Sequence, residues 1–186
     1  MENGLDILIT DLQSLKGRAF WQQLIAITKR KEFKEIEPGI FSALGSENAD
    51  IERLLDAAHK AKACGYSVYI LPNPKTVSSA DFIFKHKNSY KLYELKTILG
   101  KNSIGNRLSE GARQSSRILL NLVVHCSPRL LAFEIARFFR ENNEAKEVLV
   151  FFKRRKISIT KVTNPDILWR TLLKHTTSNT GRQNDP

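Results

Sequence analysis

The stretch Ala80–Lys96, ADFIFKHKNSYKLYELK, constrains the fold of this chain more than any other. Its Phe, Ile and Tyr residues favour extended backbone, and Lys87-Asn88-Ser89 interrupts them with a polar turn. The pattern predicts one strand over Asp81–Phe84 and an antiparallel neighbour over Tyr90–Thr97. Side chains alternate across a strand, so Glu94 and Lys96 share a side with Leu92, while Tyr93 and Leu95 take the other. Asp81 opens the first strand and Glu94-Leu95-Lys96 sits late in the second, so the hairpin gathers two carboxylates and an ammonium at one end.

The flanking sequence embeds this hairpin in an α/β pattern. Residues 5–29 carry Leu5, Leu8, Ile9, Leu12, Leu15, Phe20, Leu24 and Ile27 near helical spacing, with Gly17 as a weak point, which predicts one or two helices. Pro38-Gly39 marks a loop, and Phe41–Asn48 shows no period. Asp50 is placed to cap a helix running to about Cys64, which Gly65 ends. Tyr66–Leu71 reads as a strand stopped by Pro72 and Pro74, and Asn73–Ser79 as a loop. After the hairpin come a helix over Ile104–Leu119, a strand over Asn121–Cys126 and a helix opened by Pro128. That last helix carries Leu130, Leu131, Phe133, Ile135, Ala136, Phe138 and Phe139 and is expected to be heavily buried. A final hairpin, Val148–Phe152 and Ile157–Thr160 with Lys153–Lys156 at its turn, precedes an amphipathic helix over Asp166–Lys174 and a polar tail from Thr176 that is expected to be disordered.

From Asp50 the order is helix, three strands, helix, strand, helix, two strands. It predicts an α/β fold: a mixed β-sheet with an αβββαβ core flanked by helices, plus an N-terminal helical extension. The expected divisions are an extension over 1–49, a core domain over 50–162, and a C-terminal helix and tail over 163–186.

Charge narrows the partners. The chain of 186 residues carries net +11, and 41% hydrophobic with 26% charged residues is ordinary for a globular protein. Residues 1–56 hold 7 Lys/Arg against 10 Asp/Glu, leaving 23 against 9 for residues 57–186, so the basic excess lies in the part that contains the hairpin. Such a field attracts polyanions, above all nucleic acid, though a solvated basic surface has the same composition. Cys64 and Cys126 are far apart without metal-ligand spacing and are expected as buried, reduced thiols, not as a zinc site. The run Leu5-Asp6-Ile7-Leu8-Ile9 is broken by Asp6 and lacks a basic region before it, so neither a signal peptide nor a membrane span is predicted and the cytoplasm is the expected location. GxxxxGK[ST] and GxGxxG loops are missing, and the four histidines are scattered, with only His86 near the hairpin.

Hydrolysis of a phosphodiester at neutral pH needs charge neutralisation at the phosphate and an activated water. A hard cation such as Mg²⁺ or Mn²⁺ meets both needs and prefers oxygen ligands from one or two carboxylates. Asp81 and Glu94 would supply such oxygens, the Leu95 carbonyl a further one, and Lys96 would position the water or stabilise the charge that develops. Alone, acid-x-Lys is common in a charged protein and describes a solvated strand face equally well. Its context in a strand–turn–strand, within a basic region, gives it weight. Lys101, Asn102, Ser103, Asn106, Arg107 and Arg113 lie at and along the next helix, where free N–H groups and basic side chains would grip phosphate or simply cap and solvate that helix.

The αβββαβ order with Asp81, Glu94 and Lys96 resembles the PD-(D/E)xK nuclease superfamily. More narrowly, GYSVYILPNP, SADFIF, YELKT, KNSIGNRLSEGARQSS and the closing strand pair resemble the C-terminal tRNase domains of CdiA-type contact-dependent inhibition toxins, over roughly residues 50–162. Ala80 stands where the superfamily motif has its proline. The resemblance implies that Asp81 and Glu94 are metal ligands and Lys96 the catalytic lysine. It also implies that Gln114 points at the site from the following helix and that Glu52 completes the metal shell, with Asp56 a competitor for that place. The implied substrate is RNA, tRNA in particular. The implied partner is an acidic immunity protein covering the basic cleft, and delivery into a target cell's cytoplasm would follow. A DNA endonuclease of a mobile element and a non-catalytic nucleic-acid-binding module are the alternatives, along with an interaction protein whose acidic residues 1–56 pack against a basic partner.

Overall fold

We describe the protein from a computed structural model over residues 4–43, 50–72, 80–152, 155–161 and 164–177. The predicted loop at Asn73–Ser79, the centre of the Lys153–Lys156 turn and the tail beyond residue 177 fall outside the described residues. The chain forms a mixed α/β fold that divides into two compact units, Met1–Leu95 and Lys96–Pro186.

In the first unit, α1 (Gly4–Gln13) and α2 (Phe20–Ile27) are followed by β1 (Lys34–Glu37), β2 (Ile40–Ser42), α3 (Ile51–Ala63), β3 (Ser67–Ile70), β4 (Phe82–His86) and β5 (Ser89–Ile98), whose last residues run on into the second unit. The strands pair in sequence order: β1 with β2 antiparallel, β2 with β3 parallel, and β3 with β4 and β4 with β5 antiparallel. The expectation of a purely helical extension over residues 1–49 is therefore corrected. Lys34–Ser42 is a hairpin about Pro38-Gly39, with Gly39 at φ 79, and its second strand joins the sheet through β3. Strands of three and four residues are too short to show a period, which is why this one was illegible.

Helices cover both faces of these strands. Leu8, Leu12, Leu24 and Ile27 from α1 and α2 pack with Tyr69, Leu71 and Ile83, with Tyr90 and Leu92 of β5 at the margin. On the alternate side Phe84 makes tilted ring contacts with Phe82, Tyr93 and Tyr66, at 5.0–5.3 Å between ring centroids. The helix α3 packs on β3 and buries a narrow face of Leu54, Ala57, Ala58 and Ala61. Gly65, at φ 85, closes α3 as predicted, because the left-handed conformation is open to glycine. Asp50 takes the N-cap position without a side-chain cap bond, since its carboxylate pairs with Arg53 instead.

The second unit contains the end of β5, a short 3-10 turn (Lys101–Ser103), α4 (Ile104–Ala112), β6 (Arg117–Leu122), α5 (Pro128–Glu141), β7 (Glu147–Phe152), β8 (Arg155–Ile159) and α6 (Pro165–Thr177). Here β6 pairs parallel with β7 and β7 antiparallel with β8. The predicted helix over Ile104–Leu119 ends instead at Ala112, and the strand begins at Arg117, not Asn121. Ile118, Leu119 and Leu120 are all fully buried, and three consecutive buried residues suit a strand covered on both faces better than an amphipathic helix. α6 packs against α5, with Leu172 fully buried in the same cluster as Ile135 and Val150, so this helix is part of the second unit's core. Phe133 contradicts the heavily buried face expected of α5, being 54% exposed. Cys126 is buried as expected, Cys64 is only half-buried, and neither is in a disulfide.

Candidate metal-binding hairpin

The hairpin of β4 and β5 closes through a two-residue loop, Lys87-Asn88, between the paired residues His86 and Ser89. Lys87 adopts φ 53, the positive value that a tight two-residue connection demands. His86 is tied down by Nδ1 at 3.0 Å from the Gly65 carbonyl and an edge contact with Tyr66. With the turn fixed, the ladder runs Phe84–Lys91, Ile83–Leu92 and Phe82–Tyr93, so Asp81 lies just beyond its end on one strand and Glu94 just beyond it on the other.

Asp81 is held at three points. Its carbonyl accepts the Leu71 N–H at 2.9 Å, its own N–H donates to the Tyr93 carbonyl at 3.0 Å, and its Oδ2 accepts the Leu95 N–H at 2.7 Å. The bond to Tyr93 is one residue out of step with the ladder, which pairs Tyr93 with Phe82, so two residues of one strand face one of the other. That is the pattern of a β-bulge, a device that re-aims a side chain at the end of a ladder. Asp81 is 9% exposed and Glu94 3%. The bulge and the Leu95 bond carry no signal in composition or period.

The donor set fits a hard cation. Both carboxylates offer oxygen only, Asp81 next to the first residue of the β4 ladder and Glu94 next to that residue's partner on β5. In a strand, the N–H and C=O of one residue point toward the same neighbour. The Leu95 carbonyl thus faces the Asp81 side, as its N–H does. Glu52 is exposed on the first turn of α3, and Asp56 is engaged with Lys60 at 2.8 Å. Among the described residues, no group of three or more His, Cys, Asp or Glu side chains is placed to hold a metal ion.

Lys96 follows Leu95 on β5 and is the first residue of the second unit, where it is half-buried. Its side chain runs past the last turn of α4, with Cε 3.4 Å from where a Cβ on Gly111 would stand. Helix C-termini carry a partial negative charge that favours an ammonium group. The same Gly111 gives its carbonyl to the N–H groups of Gln114 and Ser115, both at 3.0 Å. Gln114 is therefore in the turn after α4, not within the helix as predicted, and its backbone is anchored to the residue beside Lys96. Gly111 was missed in the sequence, where a helical glycine reads only as a weak helix former.

The candidate phosphate contacts are distributed along α4. Asn102, Asn106, Arg107 and Arg113 are exposed; Arg107 pairs with Glu110 at 3.0 Å, and Arg113 occupies the C-cap. Ser103 donates its hydroxyl to the Gly100 carbonyl at 2.7 Å. Lys101 belongs to the 3-10 turn, and its side chain lies outside the described atoms. Arg117, expected on a helix, instead pairs at 3.4 Å with Glu147, a buried carboxylate that also accepts the Ser158 hydroxyl at 2.6 Å. The charge follows the units: the second holds 17 Lys/Arg against 7 Asp/Glu, a net +10, while the first holds 13 against 12.

Comparison with family models finds no match, and comparisons with curated proteins and with solved structures find none either.

Proposed function

We propose that the protein is a metal-dependent endonuclease that hydrolyses phosphodiester bonds, in RNA and most specifically tRNA. The observation that carries this reading is the Asp81 carboxylate fixed on the Leu95 N–H at 2.7 Å, beside a Glu94 that is 3% exposed. Two buried carboxylates near one end of a hairpin offer the oxygen donors that a hard divalent cation prefers.

Asp81, Glu94 and the Leu95 carbonyl would hold the ion, with Glu52 as an outer candidate. Mg²⁺ or Mn²⁺, when bound, supplies charge neutralisation at the phosphate and a more acidic water. Lys96, two residues along the strand from Glu94, keeps an ammonium on the same side of β5 and would orient the attacking water or stabilise developing charge. Gln114, next to the turn that Lys96 passes, would hydrogen-bond a phosphate oxygen or that water. Lys101, Asn102, Asn106, Arg107 and Arg113 would follow the phosphate backbone, supported by the net +10 of their unit. Cleavage of DNA as a mobile-element enzyme is the second form of the same chemistry. The charge alone equally suits a nucleic-acid-binding module without catalysis. An acidic inhibitor protein is the partner this surface would attract in a toxin, acting inside a target cell. Among the described residues no helix is long and apolar enough to cross a membrane.

The test is cleavage of RNA, including tRNA, and of DNA by purified protein with Mg²⁺ or Mn²⁺ and with EDTA. The expected outcome is metal-dependent cleavage that Asp81→Ala, Glu94→Ala and Lys96→Ala each abolish while circular dichroism stays native. Salt-sensitive binding without cleavage under either metal would replace the enzyme with a binding module.

A further inference from the structure

The second unit has a groove that the proposed chemistry does not use. It lies between the first turns of α5 and α6, has a volume of about 470 Å³, and is lined by Arg129, Leu130, Phe133, Asp166 and Trp169 among others. That volume suits a small organic group. Arg129 lies over the Trp169 ring with its guanidinium carbon 5.7 Å from the centroid. Phe133 leaves 54% of its surface in solvent, and Ile167, on the neighbouring turn of α6, leaves 64%. A phenylalanine on a helix that buries Leu131, Ile135 and Phe138, standing beside a tryptophan and a planar cation, offers a stacking platform.

We propose that this groove takes an unpaired base of single-stranded nucleic acid. Bases splayed from a single strand are recognised by stacking on aromatic rings and arginine planes, with basic surroundings tracking the phosphates. The groove supplies both: two aromatic rings and a guanidinium, within a unit of net +10. Asp166 offers an acceptor to the amino group of a base. The same charge disfavours a second copy of the chain, which would bring +10 against +10. An apolar protein partner would bury Arg129 along with the rings, whereas a nucleotide brings the phosphate that Arg129 can pair with. This inference deepens the nuclease reading by naming the feature of the substrate that is recognised. Because binding is measured in EDTA, its failure and the failure of cleavage are separate results.

The chain has two tryptophans, so Trp21→Phe leaves Trp169 as the only one. In that background, an eight-nucleotide oligoadenylate is expected to quench Trp169 emission saturably, while an RNA duplex of equal length is expected to leave it unchanged. Phe133→Ala and Phe133→Leu are each expected to weaken binding of the single strand by on the order of tenfold. Phe133 is exposed, so both variants are expected to melt like the parent. Anisotropy that shows the single strand bound without quenching overturns the proposal, as does unchanged affinity in both Phe133 variants or equal quenching by the duplex. Self-association that Phe133→Ala abolishes, with no binding of the strand, also overturns it and assigns the groove to a protein contact.

Discussion

Asp81→Ala and Asp81→Asn are predicted to lose cleavage alike but to differ in stability. In the native chain Oδ2 of Asp81 accepts the Leu95 N–H at 2.7 Å. Alanine removes the acceptor and leaves that N–H on a half-buried residue. An orphaned buried donor costs about 1–3 kcal/mol, and partial access of water to Leu95 favours the lower half of that range. Asparagine keeps an oxygen in the same place and trades a charge-assisted bond for a neutral one, a loss of about 1 kcal/mol. Removing one of two neighbouring carboxylates offsets part of that loss when no cation is bound. The asparagine variant should therefore lie within about 1 kcal/mol of the parent, and the alanine variant below it. Denaturant titration gives the global difference, and amide exchange at Leu95, read by NMR, gives the local one. Exchange at Leu95 should accelerate in the alanine variant and stay slow in the asparagine variant. Equal protection in both would mean that the carboxylate does not hold β5, and the site as argued would lose its anchor.

Tyr69, stacked on Phe41 at 4.7 Å, has its phenol pushed above the usual range chiefly by burial. A raised folded pKa means that the neutral phenol's contribution is complete below about pH 10 and is lost as pH rises through the higher folded value. Tyr69→Phe should accordingly flatten the fall in melting temperature above about pH 10; an identical fall in both proteins would show that Tyr69 is not the titrating group. Deleting residues 1–43 removes β2 from β3 and strips Leu8, Leu12, Leu24 and Ile27 from the cluster over Tyr69 and Ile83. The truncated chain should lose cooperative melting of its first unit, and a native near-ultraviolet dichroism spectrum from it would contradict this.

The two strands of the hairpin were legible because β-forming residues, a polar turn and alternation agree, but the register was not: Ser89, expected in the turn, opens β5, and β4 runs on from Phe84 to His86. The observed register places Glu94 on β5, whereas Asp81 stands off the ladder through its bond to the Tyr93 carbonyl. Elsewhere the signals conflict or vanish. Ile118-Leu119-Leu120 continues the apolar period of α4 across Arg113–Ser116, and only the pairing of β6 with β7 reveals it as a strand. Gln114 moved from helix to turn with that boundary. β1 and β2 rest on pairing with residues distant in sequence, which composition cannot display. Phe133 fits the apolar pattern of α5 yet faces solvent, since a sequence shows which residues are apolar and not whether a neighbour arrives to cover them. Gly111 and the bulge at Asp81 matter through distances of a few ångströms, and no sequence period encodes those.

The central claim is that Asp81 and Glu94 hold a divalent cation, and Mn²⁺ titration followed by electron paramagnetic resonance tests it directly. The native chain should bind one Mn²⁺ ion per chain, and Mg²⁺ should compete for it. Glu94→Gln and Asp81→Asn should each weaken binding at least about tenfold, roughly 1.4 kcal/mol, with the melting transition retained. Binding of Mn²⁺ by both variants at the affinity of the parent would contradict the claim.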